Sequence, residues 1–279
     1  MLNDDVQFES WQVTLPLRPY VNRIVGFRDV GPPVIRRELP QVGCPMLFVF
    51  GAPFRLSDRE QPAVLSSTRG SFTAGVFDTF TMSQSTEPTS GVQVDLSPLG
   101  AYIIGGTPMQ ELSNRIVNME DLSGREVRDL AERLGSLERW DERFQLIETF
   151  LLDRVRQHSG VTPEVLWAWK QMVAANGNVS VALITDELQW SRKRLRAAFL
   201  REVGFPPKTM GRLLRYRYAM DLATGYPHVG WSEIASRAGY SDQSHLHRDL
   251  LAFTGTTPVA LRSELVEGTF VQDGQIIDS

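Results

Sequence analysis

Only one cysteine, Cys44, occurs in the 279 residues. No intrachain disulfide or cysteine zinc cluster can therefore form, and a reducing, cytoplasmic compartment is expected. Histidine is almost as scarce: there are four, none of them between positions 8 and 121. His245 and His247 are two apart, so on a helix they point to different faces and cannot chelate one metal ion as an i, i+4 pair would. No apolar run reaches the length of a membrane span, and the opening MLNDDVQFES lacks the basic and apolar regions of a signal peptide. Ser97 is not preceded by the glycine of a nucleophile elbow, and Gly105-Gly106 sits in no phosphate-binding fingerprint. Together these absences predict a protein that is not an enzyme, holds no metal or cofactor, and has no membrane segment.

Acidic residues are missing from one stretch in particular. The net charge is -4, but residues 161–266 hold 13 Lys and Arg against 9 Asp and Glu, a balance of +4, while the remainder holds 16 against 24, a balance of -8. Within residues 191–217 stand Arg192, Lys193, Arg194, Arg196, Arg201, Lys208, Arg212, Arg215 and Arg217, with Glu202 and no other acid up to Arg217. Most charge runs are solvated helix faces. A run with almost no acid to pair with, inside an acidic protein, reads instead as a footprint for phosphates.

What is present supplies the scaffold for that footprint. Residues 230–262, GWSEIASRAGYSDQSHLHRDLLAFTGTTPVALR, spell two helices joined at Gly239. Ile234, Ala235 and Ala238 share one face of the first, Gly239 can adopt the left-handed conformation that stops it, and Ser241 or Asp242 can cap the second. Leu246, Leu250 and Phe253 form the apolar face of the second helix, leaving Gln243, Ser244, His247 and Arg248 opposite. An earlier segment repeats the plan. Ser180 caps a helix with Leu183, Ile184 and Leu188 on its apolar face, and Ser191 caps a helix over 192–201 that buries Leu195, Ala198 and Phe199. Between the two units, Pro206-Pro207 opens a helical spacer, because a first turn needs no amide donors.

These two helix-turn-helix units make the chain resemble the AraC/XylS family of bacterial transcription regulators. The resemblance rests on IASRAGYSDQSHLHR followed by GTTP-x-x-L-R in the second unit, and on Leu188, Ser191, Leu195, Phe199 and Gly204 in the first. It implies that Lys193, Arg196 and Ala197 face one major groove, with Arg192 and Arg194 nearer phosphates; Arg201, from the basic run, is a further candidate DNA contact. Gln243, Ser244, His247 and Arg248 would face a second groove, with His245 at the backbone. The implied partner is double-stranded DNA, joined by RNA polymerase if the protein is an activator. Three positions depart from the family pattern: Gln189 stands where a turn glycine is common, Leu261 replaces an aromatic, and Asp249 with Leu250-Leu251 replaces basic and Phe-Lys residues.

Residues 8–121 read as short strands punctuated by glycine and proline, at 11–15, 24–28, 34–39, 46–50, 72–77, 80–83 and 91–96. The expected fold class is α+β, with an N-terminal cupin-like β-barrel or sandwich, flanking helices, and an all-α C-terminal domain with two helix-turn-helix units. Such a barrel can enclose a small-molecule effector. Trp11, Phe48, Phe50 and Phe77 are the candidate lining, with Phe27, Phe72 and Phe80 beside them, although aromatics on strands are more often plain core. Arg36 and Arg37 either meet an acidic effector or face solvent. Two amphipathic helices follow, with Val127, Leu130 and Leu134, then Phe144, Ile147, Leu151 and Val155, in continuous stripes. The stripe either packs on the barrel or pairs with a second subunit in a homodimer, and the balance tips slightly toward the dimer.

The expected divisions are 1–122 for the sensing domain, 123–158 for a helical linker, 159–266 for the DNA-binding domain and 267–279 for a polar tail. An alternative keeps the DNA-binding regulator but places it under a protein partner or dimerisation alone, with no small ligand. A third reading is an architectural binder of backbone and shape.

Overall fold

The computed structural model describes residues 6–158 and 160–267. The expected tail at 267–279 therefore falls, apart from its first residue, outside the described residues. The chain begins with β1 (Val6–Trp11), β2 (Val21–Asp29), β3 (Ile35–Glu38), β4 (Cys44–Val49) and β5 (Phe54–Leu56). It continues through β6 (Ser67–Arg69), β7 (Phe72–Ala74), β8 (Thr81–Ser85) and β9 (Thr89–Leu96). After α1 (Pro98–Gly105) and α2 (Met109–Leu112) come β10 (Ile116–Asn118), α3 (Met119–Ser123), α4 (Arg125–Ser136) and α5 (Trp140–Gln157). The rest is helical: α6 (Pro163–Ala174), α7 (Val181–Leu188), α8 (Arg192–Glu202), α9 (Pro207–Gly225), α10 (Trp231–Arg237), α11 (Gln243–Thr254) and α12 (Pro258–Glu267).

The strands form two antiparallel sheets, ordered β1-β2-β9-β4-β7-β10 and β3-β8-β5-β6. The middle of β2, residues 24–27, and most of β4 are buried on both faces, and there the sequence reads as a nearly continuous apolar run. One face meets the smaller sheet through Phe27, Leu47, Val49, Phe54, Leu56 and Phe72. Beside that apolar cluster the interior is polar, because Thr81, Ser83 and Ser85 of β8 are buried. Ser83 donates to Glu38 at 2.5 Å, while Ser85 and Arg36 donate to Asp29 at 3.3 and 2.8 Å. Burial pushes the Glu38 carboxyl up, against the pull of Ser83 and Arg36.

The other face of the larger sheet carries the helices. Gly26 is required there, since a Cβ would lie 2.5 Å from the Trp140 ring. Val127, Leu130 and Leu134 of α4 and Phe144, Ile147 and Leu151 of α5 all belong to the main core. This corrects the lean toward a dimer: the stripe is buried within one chain and is not available to a second subunit. Arg143 locks the pair, donating from Nε to the carbonyl of Leu134 at 3.0 Å and also to that of Leu137, between the faces of Phe50 and Trp140. It occupies the last carbonyls of α4, where a cation is favoured.

Residues 8–121 were read as short strands, yet α1, α2 and most of α3 lie at the end of that stretch. Ser97 caps α1 by accepting from Gly100 N at 3.0 Å, and Pro98 opens the first turn. The first expected strand, 11–15, is mostly loop. The actual edge strand β1 lies before it and is largely exposed. No helix is long and apolar enough to cross a membrane among the described residues.

Candidate nucleic-acid interface

Both helix-turn-helix units form, and local chemistry accounts for each boundary. Ser180 caps α7 by accepting from Ala182 N, and Ser191 caps α8 by accepting from Arg194 N, both at 3.2 Å. Between them Gln189 takes the left-handed conformation at φ 52°, held by its own side chain donating to Asp186 O at 2.7 Å. A glycine is therefore not needed for the turn to close, although the conformation is strained for a residue with a Cβ. In the second unit Gly239 is left-handed at φ 76°, and a Cβ there would lie 2.1 Å from Asn178 Oδ1. Asn178 donates to Ala238 O at 3.1 Å, so a residue of the first unit grips the turn of the second. Asp242, not Ser241, caps α11, accepting from His245 N at 2.7 Å. That bond and the Ser241 hydroxyl hold the Asp242 carboxyl below the usual carboxylate range.

The nine basic residues at 192–217 divide sharply. Arg201 pairs with Glu202 at 2.5 Å, Arg212 with Asp249 at 2.6 Å and Arg217 with Asp221 at 3.1 Å, and Arg215 donates to Gly177 O at 2.9 Å. Arg201, Arg212 and Arg215 thereby join separate segments of the domain, while the Arg217 pair lies within α9. Arg201, a candidate DNA contact, bonds Glu202 and Thr162 at the far end of α8. Arg192, Lys193, Arg196 and Ala197 are exposed on the first half of α8, and no ion pair engages the three cations among the described residues. Arg194 lies flat over Trp190 at 4.0 Å, which fixes its direction. Lys208 is also exposed.

On α11, Gln243, Ser244 and Arg248 are exposed, and His247 is half-buried beside Gln243 at 3.2 Å and edge-on to Trp231. His245 lies 3.2 Å from Ser241 Oγ and edge-on to Tyr240. Asp249, which departs from the family pattern, is buried and ties α11 to the spacer α9 through Arg212. Burial pushes the Tyr240 hydroxyl up, and the nearby Asp249 carboxylate adds to the shift. The sequence held no sign of the roles of Asn178 and Asp249, because both depend on contacts across the fold. Leu261, the third departure, is fully buried.

The aromatic candidates for an effector site are core. Trp11 stacks on Phe144 at 5.2 Å, Phe48 meets Phe150 edge-on at 5.8 Å, Phe50 leans on Trp140 at 6.3 Å, and Phe77 is buried. A cleft lies elsewhere, where the larger sheet meets α1 and α5. Met46, Leu96, Ile104, Leu112, Met119 and Phe150 line it together with Thr73 and Arg154, and its volume is about 20 Å³. That is room for about one water, whereas ligand pockets run to several hundred Å³. Arg36 pairs with Asp29, and Arg37 lies over Phe80 and 3.5 Å from Glu264, so neither arginine faces this cleft or simply solvent.

Residues 184–264 match the family model described as a helix-turn-helix domain. No curated protein matches the chain in sequence. Among solved structures, ToxT from Vibrio cholerae O395 is 14% identical at a TM-score of 0.46, covering 94% of this chain and 99% of that one. ToxT from Vibrio cholerae strain SCE256 bound to an unsaturated fatty acid is 14% identical at 0.44, covering 82% and 94%. The AraC-like transcriptional activator CuxR is 15% identical at 0.31, covering 77% and 87%. Likeness at these scores is remote. The chain accordingly carries a helix-turn-helix domain at residues 184–264.

Proposed function

We propose that the protein reads specific DNA sequences by entering two successive major-groove segments with the N-terminal halves of α8 and α11. The observation that carries this reading is the exposed trio Arg192, Lys193 and Arg196, which no acid pairs among the described residues, on a helix whose other face is core. Arg196 is the base reader, since a guanidinium can bond guanine O6 and N7 together for about 1 to 3 kcal/mol of discrimination. Gln243, Ser244, His247 and Arg248 read the second segment. Their unit is nearly neutral, so they add specificity more than affinity. Replacing Arg196 with Ala is expected to relax the preference at one base position in a binding-site selection. An unchanged selected sequence refutes the assignment.

We infer further that the N-terminal domain controls this activity through a small-molecule effector. Supporting it is the apolar cleft with Arg154 on its wall, next to α1, which itself touches α8. Because the cleft holds about one water, an effector must open it and so displace the helices around it. The alternative, control by a protein partner with no small ligand, is favoured by that same small volume. Fractionated metabolite extracts added to the full chain distinguish the two. A fraction that raises the melting temperature and changes operator affinity supports the effector, and a complete survey with neither change supports the partner.

A further inference from the structure

Each recognition helix ends on a glycine with positive φ, and the N-terminal domain covers both glycines. Gly204, just beyond α8, has φ 102°, and a Cβ there would lie 2.5 Å from Ser113 Oγ. Ser113 donates to the Gly204 carbonyl at 2.8 Å. Gly255 caps α11 at φ 68°, and a Cβ there would lie 2.2 Å from the Phe80 ring. Arg37 lies over the same ring, 5.3 Å from its centre, and 3.5 Å from Glu264 of α12. Two backbone sites bare of side chains are thus filled from the N-terminal domain, Gly204 by Ser113 with Met109 behind it and Gly255 by Phe80.

The placement favours DNA reading over obstruction. Recognition helices meet base edges with their N-terminal residues. The two contacts lie at the C-terminal ends, about 16 and 18 Å along helices of 11 and 12 residues. Arg192, Lys193 and Arg196 at one N-terminal half, and Gln243 and Ser244 at the other, stay exposed. Between the units, α9 is a lever of 19 residues, about 28 Å long, and a rotation of about 10° at one end moves the other by about 5 Å. That exceeds the 3.4 Å rise of one base pair. Asn178 already ties the first unit to the turn of the second at one place, and the β domain adds a contact at the far end of each recognition helix, which limits such a rotation further.

We propose that Phe80 and Ser113 are positioning residues for DNA reading: acting through Gly255 and Gly204, they brace the two recognition helices at one separation, so that the protein discriminates operators by half-site spacing. The proposal rests on the reading that both units enter DNA. It is tested with the full chain on duplexes carrying the two selected half-sites at the selected spacing, the same half-sites two base pairs further apart, and the first half-site alone. The wild type is expected to lose at least about tenfold in affinity on the insertion, and the variant Phe80→Ala/Ser113→Ala less than about threefold. Affinity for the single half-site should stay within about twofold. A spacing penalty that survives in the double variant overturns the brace alone. A wild type that binds single and paired half-sites equally overturns the two-groove reading, and the brace with it.

Should the double variant not fold, the milder Arg37→Gln serves with spin labels at Ala197→Cys and Gln243→Cys, both exposed positions, Cys44 being buried. A distance distribution that broadens in Arg37→Gln supports the brace, and one of unchanged width and centre overturns it.

Discussion

Arg192 and Arg212 carry the same charge in the same domain, yet only the first is placed to release counterions from DNA. Arg192→Ala is expected to reduce the slope of log affinity against log salt by about 0.9, while Arg212→Ala leaves the slope unchanged. The cost of Arg212→Ala appears in stability instead. Asp249 is 4% exposed and would keep an uncompensated charge, so a loss of about 3 kcal/mol is expected in urea unfolding. Asp249→Asn should cost only about 1 kcal/mol, because the Arg212 side chain is 37% exposed and can rehydrate. The footprint was visible in the sequence as a run of basic residues. Which members were engaged internally was not, since Asp249 and Gly177 lie 37 and 38 positions away from their partners. Cys44 gives a separate check. Burial pushes its thiol up to about 12, so at pH 8 almost no thiolate exists and iodoacetamide should leave it unmodified until the chain unfolds, as read by mass spectrometry.

At the level of elements, the two turns predict opposite responses to the same kind of change. Gln189→Gly relieves a left-handed residue that carries a Cβ, at the loss of one side-chain hydrogen bond, and should raise stability by about 0.5 to 1 kcal/mol. Gly239→Ala adds a Cβ to a left-handed site already filled by Asn178, and should destabilise by more than about 2 kcal/mol. Equilibrium denaturation of the two variants measures both. The helices of the C-terminal domain were legible because serine, aspartate, proline and glycine punctuate an apolar period of 3 and 4. Strands β5, β6 and β10 were not, because three residues show no period. The start of α1 was signalled by Ser97-Pro98 but lay in a region whose strand pattern dominated.

For the molecule as a whole, one hydrophobic core runs from Leu17 and Phe48 through Leu151 and Phe199 to Leu261, so the β domain and the DNA-binding domain are packed as one body. Within residues 161–264 the buried set includes Ile184, Leu195, Tyr216, Ile234, Leu246 and Phe253, enough for an independent core. Removing residues 1–157 is therefore expected to leave a folded fragment that melts at a lower temperature and binds a single half-site as the full chain does. It should lose the preference for one half-site spacing. A fragment that keeps the full spacing penalty would assign the spacing to α9 alone.

The sequence by itself determined the local structures of the C-terminal domain and their chemistry: two capped helix pairs, a proline-opened spacer, and a basic first recognition helix. These depend on residues within one or two turns of each other, so their spacing records them directly. Only the tertiary structure decided which arginines face outward, that the amphipathic stripe of α4 and α5 is buried, that the aromatic candidates are core, and that Phe80 and Ser113 reach the ends of the recognition helices. Each of those depends on a contact between segments distant in sequence, and a contact of that kind is set by how whole faces pack together, which no local pattern of residues encodes.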